Sequence, residues 1–134
     1  MKQNQFKILI VEDVELVRAM VKSTLQTFGY HSIEEALDGQ QAIEKISAAE
    51  AIGQPYDVIF CEWTLPVRDG LDVLKFCRES GETPFIMITA ESESAAVVRA
   101  IRAGATDYLV KPIAAEIFDR KLTKIIDRIT GNAA

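Results

Sequence analysis

Five scattered residues carry the chemistry this sequence can do: Glu12 and Asp13, Glu62, Thr89, and Lys111. Each sits at the end of a short apolar run. Ile8-Leu9-Ile10-Val11 runs into Glu12-Asp13, and Val58-Ile59-Phe60-Cys61 into Glu62. Phe85-Ile86-Met87-Ile88 runs into Thr89, and Tyr108-Leu109-Val110 into Lys111. Unbroken apolar runs of this length suit strands buried on both faces, the usual state in a parallel sheet. If the strands are parallel, their last side chains meet at the carboxyl edge of the sheet, where open α/β sheets bind ligands. The set is then three carboxylates, one hydroxyl and one ammonium. Three carboxylates at one spot repel, so some hold protons or a cation neutralises them. Mg²⁺ suits an oxygen-only site of one or two carboxylates, waters and phosphate oxygens. A lysine and a hydroxyl opposite it would meet the remaining oxygens of a phosphoryl group, whose transfer depends on positioning and charge neutralisation.

The elements that must position these residues follow a βα rhythm. Lys7–Val11 reads as the first strand. From Glu15 to Phe28 the apolar residues Leu16, Val17, Met20, Val21, Leu25 and Phe28 recur at helical spacing, and Gly29 fits just past the helix end. Ser32–Ala36 is a more polar strand and belongs at an edge. Asp38-Gly39 reads as a turn, followed by a helix over 40–51 with Ala42, Ile43, Ile46 and Ala49 on one face. The third strand covers 57–61 and delivers Glu62. A helix follows over 71–80, with Leu71, Val73, Leu74 and Cys77 inward. The fourth strand covers 85–88. Ser92 or Ser94 caps the next helix, which runs to about Ala103 and stops at Gly104. The fifth strand is 107–110. The last helix covers about 115–129, with Ile117, Phe118, Leu122, Ile125 and Ile129 inward. Five such alternations with short links predict an α/β fold, a parallel sheet with right-handed crossovers and helices on both faces.

Composition narrows the function classes. The 134 residues form one domain with a proper core. A net charge of −5 argues against a general nucleic-acid binder, which would present a basic face. No apolar run approaches the length of a membrane span, and the polar start, 1–6, does not read as a signal peptide, so a cytoplasmic location is expected. Cys61 and Cys77 lack metal-type spacing and read as buried, reduced thiols. His31 is the only histidine and reads as a surface residue, which disfavours a histidine-based dyad. Taken singly, Glu12-Asp13 could serve only the start of a helix and Lys111 could be a solvated surface lysine. Helix capping does not account for Thr89 and Lys111 together.

These pieces carry a family resemblance. Ile10-Val11-Glu12-Asp13, Asp57-Val58-Ile59 through Leu65-Pro66 and Asp69-Gly70, Ile88-Thr89-Ala90 and Val110-Lys111-Pro112 occur in an order and spacing that resemble a response-regulator receiver domain over about Lys7 to Arg128. The Glu-Glu-Ala segment ahead of Asp38-Gly39, and Trp63, look most like the small chemotaxis-type members. The resemblance implies a single domain over 1–134, with a core of about 7–129. It implies a flavodoxin-like (βα)5 fold, doubly wound, with strand order 2-1-3-4-5. It implies two-component signalling and phosphorelay rather than an enzyme. Glu12 and Asp13 correspond to the acidic pair that holds Mg²⁺, Asp13 more directly, with Glu62 and the backbone carbonyl of Thr64 completing the metal ligands. Thr89 matches the switching hydroxyl, Lys111 the phosphoryl-contacting lysine with a typically cis bond to Pro112, and Tyr108 the aromatic that rotates when the switch is thrown. The implied partners are a histidine kinase or phosphotransfer protein and a downstream protein. The latter reads the surface of the fourth helix, fifth strand and fifth helix. A homodimer is compatible with that surface; nucleic acid and membrane are not expected.

The departure is Glu62, which stands where the resemblance places the phospho-accepting aspartate. One extra methylene moves the carboxylate outward by on the order of 1.5 Å, and preorganised sites lose much of their rate from misplacement of about 1 Å. Phosphorylation is therefore expected to be weak or absent. Glu62 reads as a fixed stand-in for a phosphorylated aspartate, natural or introduced; the alternatives are a pseudo-receiver that binds partners without phosphorylation, and an ordinary receiver whose aspartate has been replaced. A phosphatase of the haloacid type needs paired aspartates after the first strand, which Glu12-Asp13-Val14-Glu15 does not supply. A flavin module needs a Ser/Thr/Gly-rich phosphate loop there, where this chain has acids.

Overall fold

The computed structural model describes residues 5–90 and 94–131. Five strands alternate with five helices: β1 (Lys7–Val11), α1 (Glu15–Thr27), β2 (Ser32–Ala36), α2 (Gly39–Ala51), β3 (Val58–Glu62), α3 (Gly70–Ser80), β4 (Phe85–Thr89), α4 (Ser94–Arg102), β5 (Asp107–Val110) and α5 (Ala115–Thr130). The strands form one sheet in the order β2-β1-β3-β4-β5, and every neighbouring pair is parallel. This is the doubly wound order that the family resemblance implies. The polar strand β2 lies at one edge and β5 at the other.

Strand alternation divides the core between the two faces. Leu9, Val11, Ile59, Cys61, Phe85 and Met87 pack with Ala42, Ile46, Val73, Leu74 and Ala100, beneath α2, α3 and α4. Ile8, Ile10, Val58, Phe60, Ile86 and Ile88 pack with Val21, Leu25, Phe118, Leu122 and Ile125, beneath α1 and α5. Phe60 stacks on Phe118 with ring centroids 5.2 Å apart. A strand with helices on both sides must be apolar at consecutive positions, and that is what the runs in β1, β3 and β4 encode.

Several local expectations need correction. Asp38-Gly39 is not a free turn: Asp38 caps α2, its carboxylate accepting the Gln41 N–H at 2.8 Å, and Gly39 is the first helical residue. Asp69 and Gly70 repeat the device at α3, where Asp69 accepts the Asp72 N–H at 3.0 Å. An Asp at this position satisfies one of the orphan amides at a helix start. β3 starts one residue later than expected, because Asp57 turns its carboxylate to the Lys7 N–H. Ile117, expected inward, is 43% exposed; Phe118 fills the inward position beside it. Of the apolar residues in α1, Leu16 and Met20 are largely exposed, while Val21 and Leu25 are buried. Ser92 lies outside the described residues, and Ser94 begins α4.

Candidate functional site

The carboxyl edge of the sheet brings Glu12, Glu62 and Lys111 into direct contact. Parallel register explains this: Val11 lies opposite Cys61, and Thr89 opposite Val110, so the residues that follow emerge side by side. Lys111 Nζ lies 2.7 Å from Glu12 Oε1 and 3.4 Å from Glu62 Oε1. Both carboxylates are buried, Glu12 fully and Glu62 to 7% exposure. Glu12 Oε2 accepts the Val14 N–H at 3.2 Å. Glu62 Oε2 is buried with no hydrogen-bond partner among the described residues. Thr89, 2% exposed, ends β4, and its carbonyl accepts the Lys111 N–H at 2.8 Å. The Lys111–Pro112 peptide bond is cis.

Electrostatics follow from this packing. Burial, with Glu12 close by, pushes the Glu62 carboxyl from 4.5 up to about 7 despite the pull of Lys111. Burial acts against the Lys111 charge, but the two carboxylates outweigh it and raise its pKa. One ammonium thus serves two carboxylates, and at Glu62 burial outweighs its pull.

Asp13 does not join this contact; it is exposed at the start of the β1–α1 link. Thr64 is exposed in the β3–α3 link, and Trp63 is half-buried against the core beneath α2 and α3. Among the described residues no group of three His, Cys, Asp or Glu side chains has the spacing of a metal site. Oxygen-only donors suit Mg²⁺ in kind, and in this arrangement a lysine already neutralises the two buried carboxylates. Lys111 stands where a neutralising cation would, and the buried carboxylate oxygens without a hydrogen-bond partner among the described residues are Glu12 Oε1, ion-paired with Lys111, and Glu62 Oε2.

The loop that carries Glu62 onward is held by steric constraints that sequence reasoning missed. The Gly70 N–H donates to the Trp63 carbonyl at 2.9 Å. A Cβ on Gly70 would lie 2.5 Å from the Glu62 carbonyl oxygen and 2.8 Å from Trp63 Cα. A Cβ on Gly39 would lie 1.8 Å from the Arg68 carbonyl oxygen, so the start of α2 rests directly on this loop. Val67 adopts a left-handed φ of 68°, an outlier for a β-branched residue. The paired Asp-Gly steps at 38–39 and 69–70 were the available signal. Tyr108 lies half-buried in β5, its ring packed against the core beneath α2, α3 and α4. Lys121 Nζ sits 4.1 Å from the ring centroid.

The known proteins this chain resembles agree with the geometry. Residues 8–123 match the family model described as a response regulator receiver domain. The chemotaxis protein CheY-3 of Vibrio cholerae is 35% identical over 126 residues, covering 92% of this chain and 93% of that protein. The chemotaxis protein CheY1 of Helicobacter pylori is 35% identical over 123 residues, covering 90% and 96%. Among solved structures, the Vibrio cholerae chemotaxis protein CheY4 superimposes with a TM-score of 0.78 at 33% identity, covering 90% of this chain and 98% of that one. The Francisella response regulator 1452 receiver domain gives 0.81 at 26% identity, covering 92% and 98%. The chain belongs to the response-regulator receiver domain family, as a chemotaxis-type member.

Proposed function

We propose that this receiver is a signalling switch, not an enzyme, whose acidic pocket is set by an internal ion cluster instead of by a phosphoryl group. The observation that carries this is Lys111 Nζ lying between Glu12 Oε1 and Glu62 Oε1 at 2.7 and 3.4 Å. A fixed carboxylate at residue 62 occupies the lysine that would otherwise meet a phosphoryl oxygen. Its extra methylene places it off the geometry a phosphoryl acceptor needs. Glu62 thereby acts as a stand-in for the phosphorylated aspartate, and the surface of α4, β5 and α5 presents the result to a downstream protein in the cytoplasm. Among the described residues no helix is long and apolar enough to cross a membrane. A histidine kinase or phosphotransfer protein remains the partner class on the input side.

A second reading is favoured by one observation. With its carboxyl pushed up to about 7, Glu62 carries less than a full charge at neutral pH, against the −1.5 to −2 (about) of a phosphate. That charge suits a pseudo-receiver, which holds one conformation and binds partners without switching.

Labelling tests the central claim. With Mg²⁺ and a small phosphodonor, Glu62→Asp is expected to become phosphorylated and the Glu62 chain hardly at all. Equal labelling of both would refute the steric argument. The two readings separate by NMR: a stand-in makes the Glu62 chain's Thr89 and Tyr108 signals resemble those of phosphorylated Glu62→Asp, while a pseudo-receiver leaves them like the unphosphorylated variant.

A further inference from the structure

β5 is the outermost strand of the sheet, so one side of its backbone has no neighbouring strand. At Tyr108 that side is closed by side chains from this same chain. The Tyr108 N–H donates to Asp107 Oδ1 at 2.8 Å. The Tyr108 carbonyl accepts from Lys121 Nζ. That ammonium also pairs with Asp107 Oδ1 at 3.0 Å and sits 4.1 Å from the Tyr108 ring centroid. One lysine on α5 therefore engages the carbonyl, the ring and the carboxylate that holds the amide. Asp107 and Lys121 side chains are only 28% and 24% exposed, which shields the arrangement better than an ordinary surface pair. A cation over an aromatic face contributes about 0.5–2 kcal/mol, more as it is desolvated. Open strand edges invite pairing with another chain, and charged side chains at the edge suppress it.

We propose that the Asp107–Lys121 pair is a clasp, with Lys121 the positioning residue that fixes both the backbone and the ring of Tyr108 at the free edge of β5. The clasp ties α5 to the edge strand at the one residue whose ring also packs into the core beneath α4. Any group that takes the ammonium of Lys121 releases at once the carbonyl and the ring of Tyr108 and the carboxylate of Asp107. The clasp does not depend on how Glu62 acts, since it lies outside the Glu12–Glu62–Lys111 contact and involves none of those side chains.

Lys121→Met tests it, because the variant keeps the aliphatic stem and removes the ammonium. Hydrogen exchange and ring signals of Tyr108 are read by NMR in the full chain. The ring resonances of Tyr108 are expected to shift, and its amide, whose acceptor Asp107 loses the ammonium that holds it in place, to exchange faster by up to about five- to tenfold, the limit set by freeing that one hydrogen bond. The Thr106 and Lys111 amides, which donate to Phe85 O and Thr89 O within the sheet, serve as references and are expected to stay unchanged. Lys121→Arg, which retains the charge and the cation–ring contact, is expected to restore the natural signals. Asp107→Asn keeps an acceptor for the amide but loses the ion pair, so the ring signals are expected to shift with a smaller change in exchange. Unchanged Tyr108 signals in Lys121→Met, or an equal rise at Thr106 and Lys111, would overturn the proposal, as would failure of arginine to rescue.

Discussion

Replacing Glu62 with glutamine isolates the charge at the centre of the pocket. The carboxyl is 7% exposed, faces Glu12 across Lys111, and leaves Oε2 without a hydrogen-bond partner among the described residues. Its pKa rises from 4.5 to about 7. The folded protein therefore holds this proton more tightly than the unfolded chain does. Stability from Glu62 is fully present below about pH 4.5 and is lost as pH rises towards and through 7. The full shift corresponds to about 3 kcal/mol. Residual solvent contact and the ability of Lys111 to follow the carboxylate reduce this to about 2 kcal/mol. Glu62→Gln mimics the protonated form at every pH. Urea denaturation, with EDTA present to exclude divalent ions, is the assay. The variant and the Glu62 chain are expected to be equally stable below about pH 4.5 and to separate by about 2 kcal/mol by pH 8.5, glutamine being the more stable. A difference that does not change with pH would refute the buried-carboxyl argument. A sign reversal, with the Glu62 chain more stable at pH 8.5, would mean that the Lys111 pairing outweighs burial.

Other consequences are simpler to test. Lys111→Met leaves two buried carboxylates facing each other without a cation. It is expected to cost about 3–5 kcal/mol at pH 8, much less at pH 5 where the pair can take up a proton, as read by the same denaturation series. Gly39→Ala places a Cβ 1.8 Å from the Arg68 carbonyl oxygen; a loss of about 1–3 kcal/mol is expected from the forced shift of the β3–α3 loop, measured as a fall in Tm. Val67→Gly removes the strain of a φ of 68° and is expected to raise stability by about 1 kcal/mol, after the entropic penalty of glycine. Cys61 and Cys77 are buried, and burial pushes both thiols up, Cys77 to about 11. Native protein at pH 8 should therefore react with a thiol reagent only at the rate at which it opens, and both thiols should react at once in urea.

The sheet was legible because its strands are buried on both faces. Nothing but unbroken apolar runs can fill β1, β3 and β4 when helices cover both sides, so four to five consecutive residues announce each strand and its parallel neighbours. β2, with Glu34 and Glu35, was placed at an edge for the converse reason: those carboxylates meet Lys7, Arg18 and Lys22 at the surface. The convergence of Glu12, Glu62 and Lys111 followed from parallelism alone. What sequence could not supply was the order of pairing within the cluster. Which of two adjacent acids turns inward depends on the pleat at the end of β1, and the link beyond Val11 turns Glu12 in and Asp13 out. The steric role of Gly39 was equally hidden, because its contact, the Arg68 carbonyl, lies 29 positions away in a different loop. Asp-Gly is a turn signal when read locally, and only the close approach of a second segment makes it a helix start that tolerates no side chain. The same limit applies to Lys121. On a helical projection of α5 it is one more polar position, and its contacts with Tyr108 and Asp107 exist only because α5 folds back along the edge of the strand it follows. Local pattern therefore specifies which face of each element is buried, while the pairing of charges across elements is decided by where the links set them down.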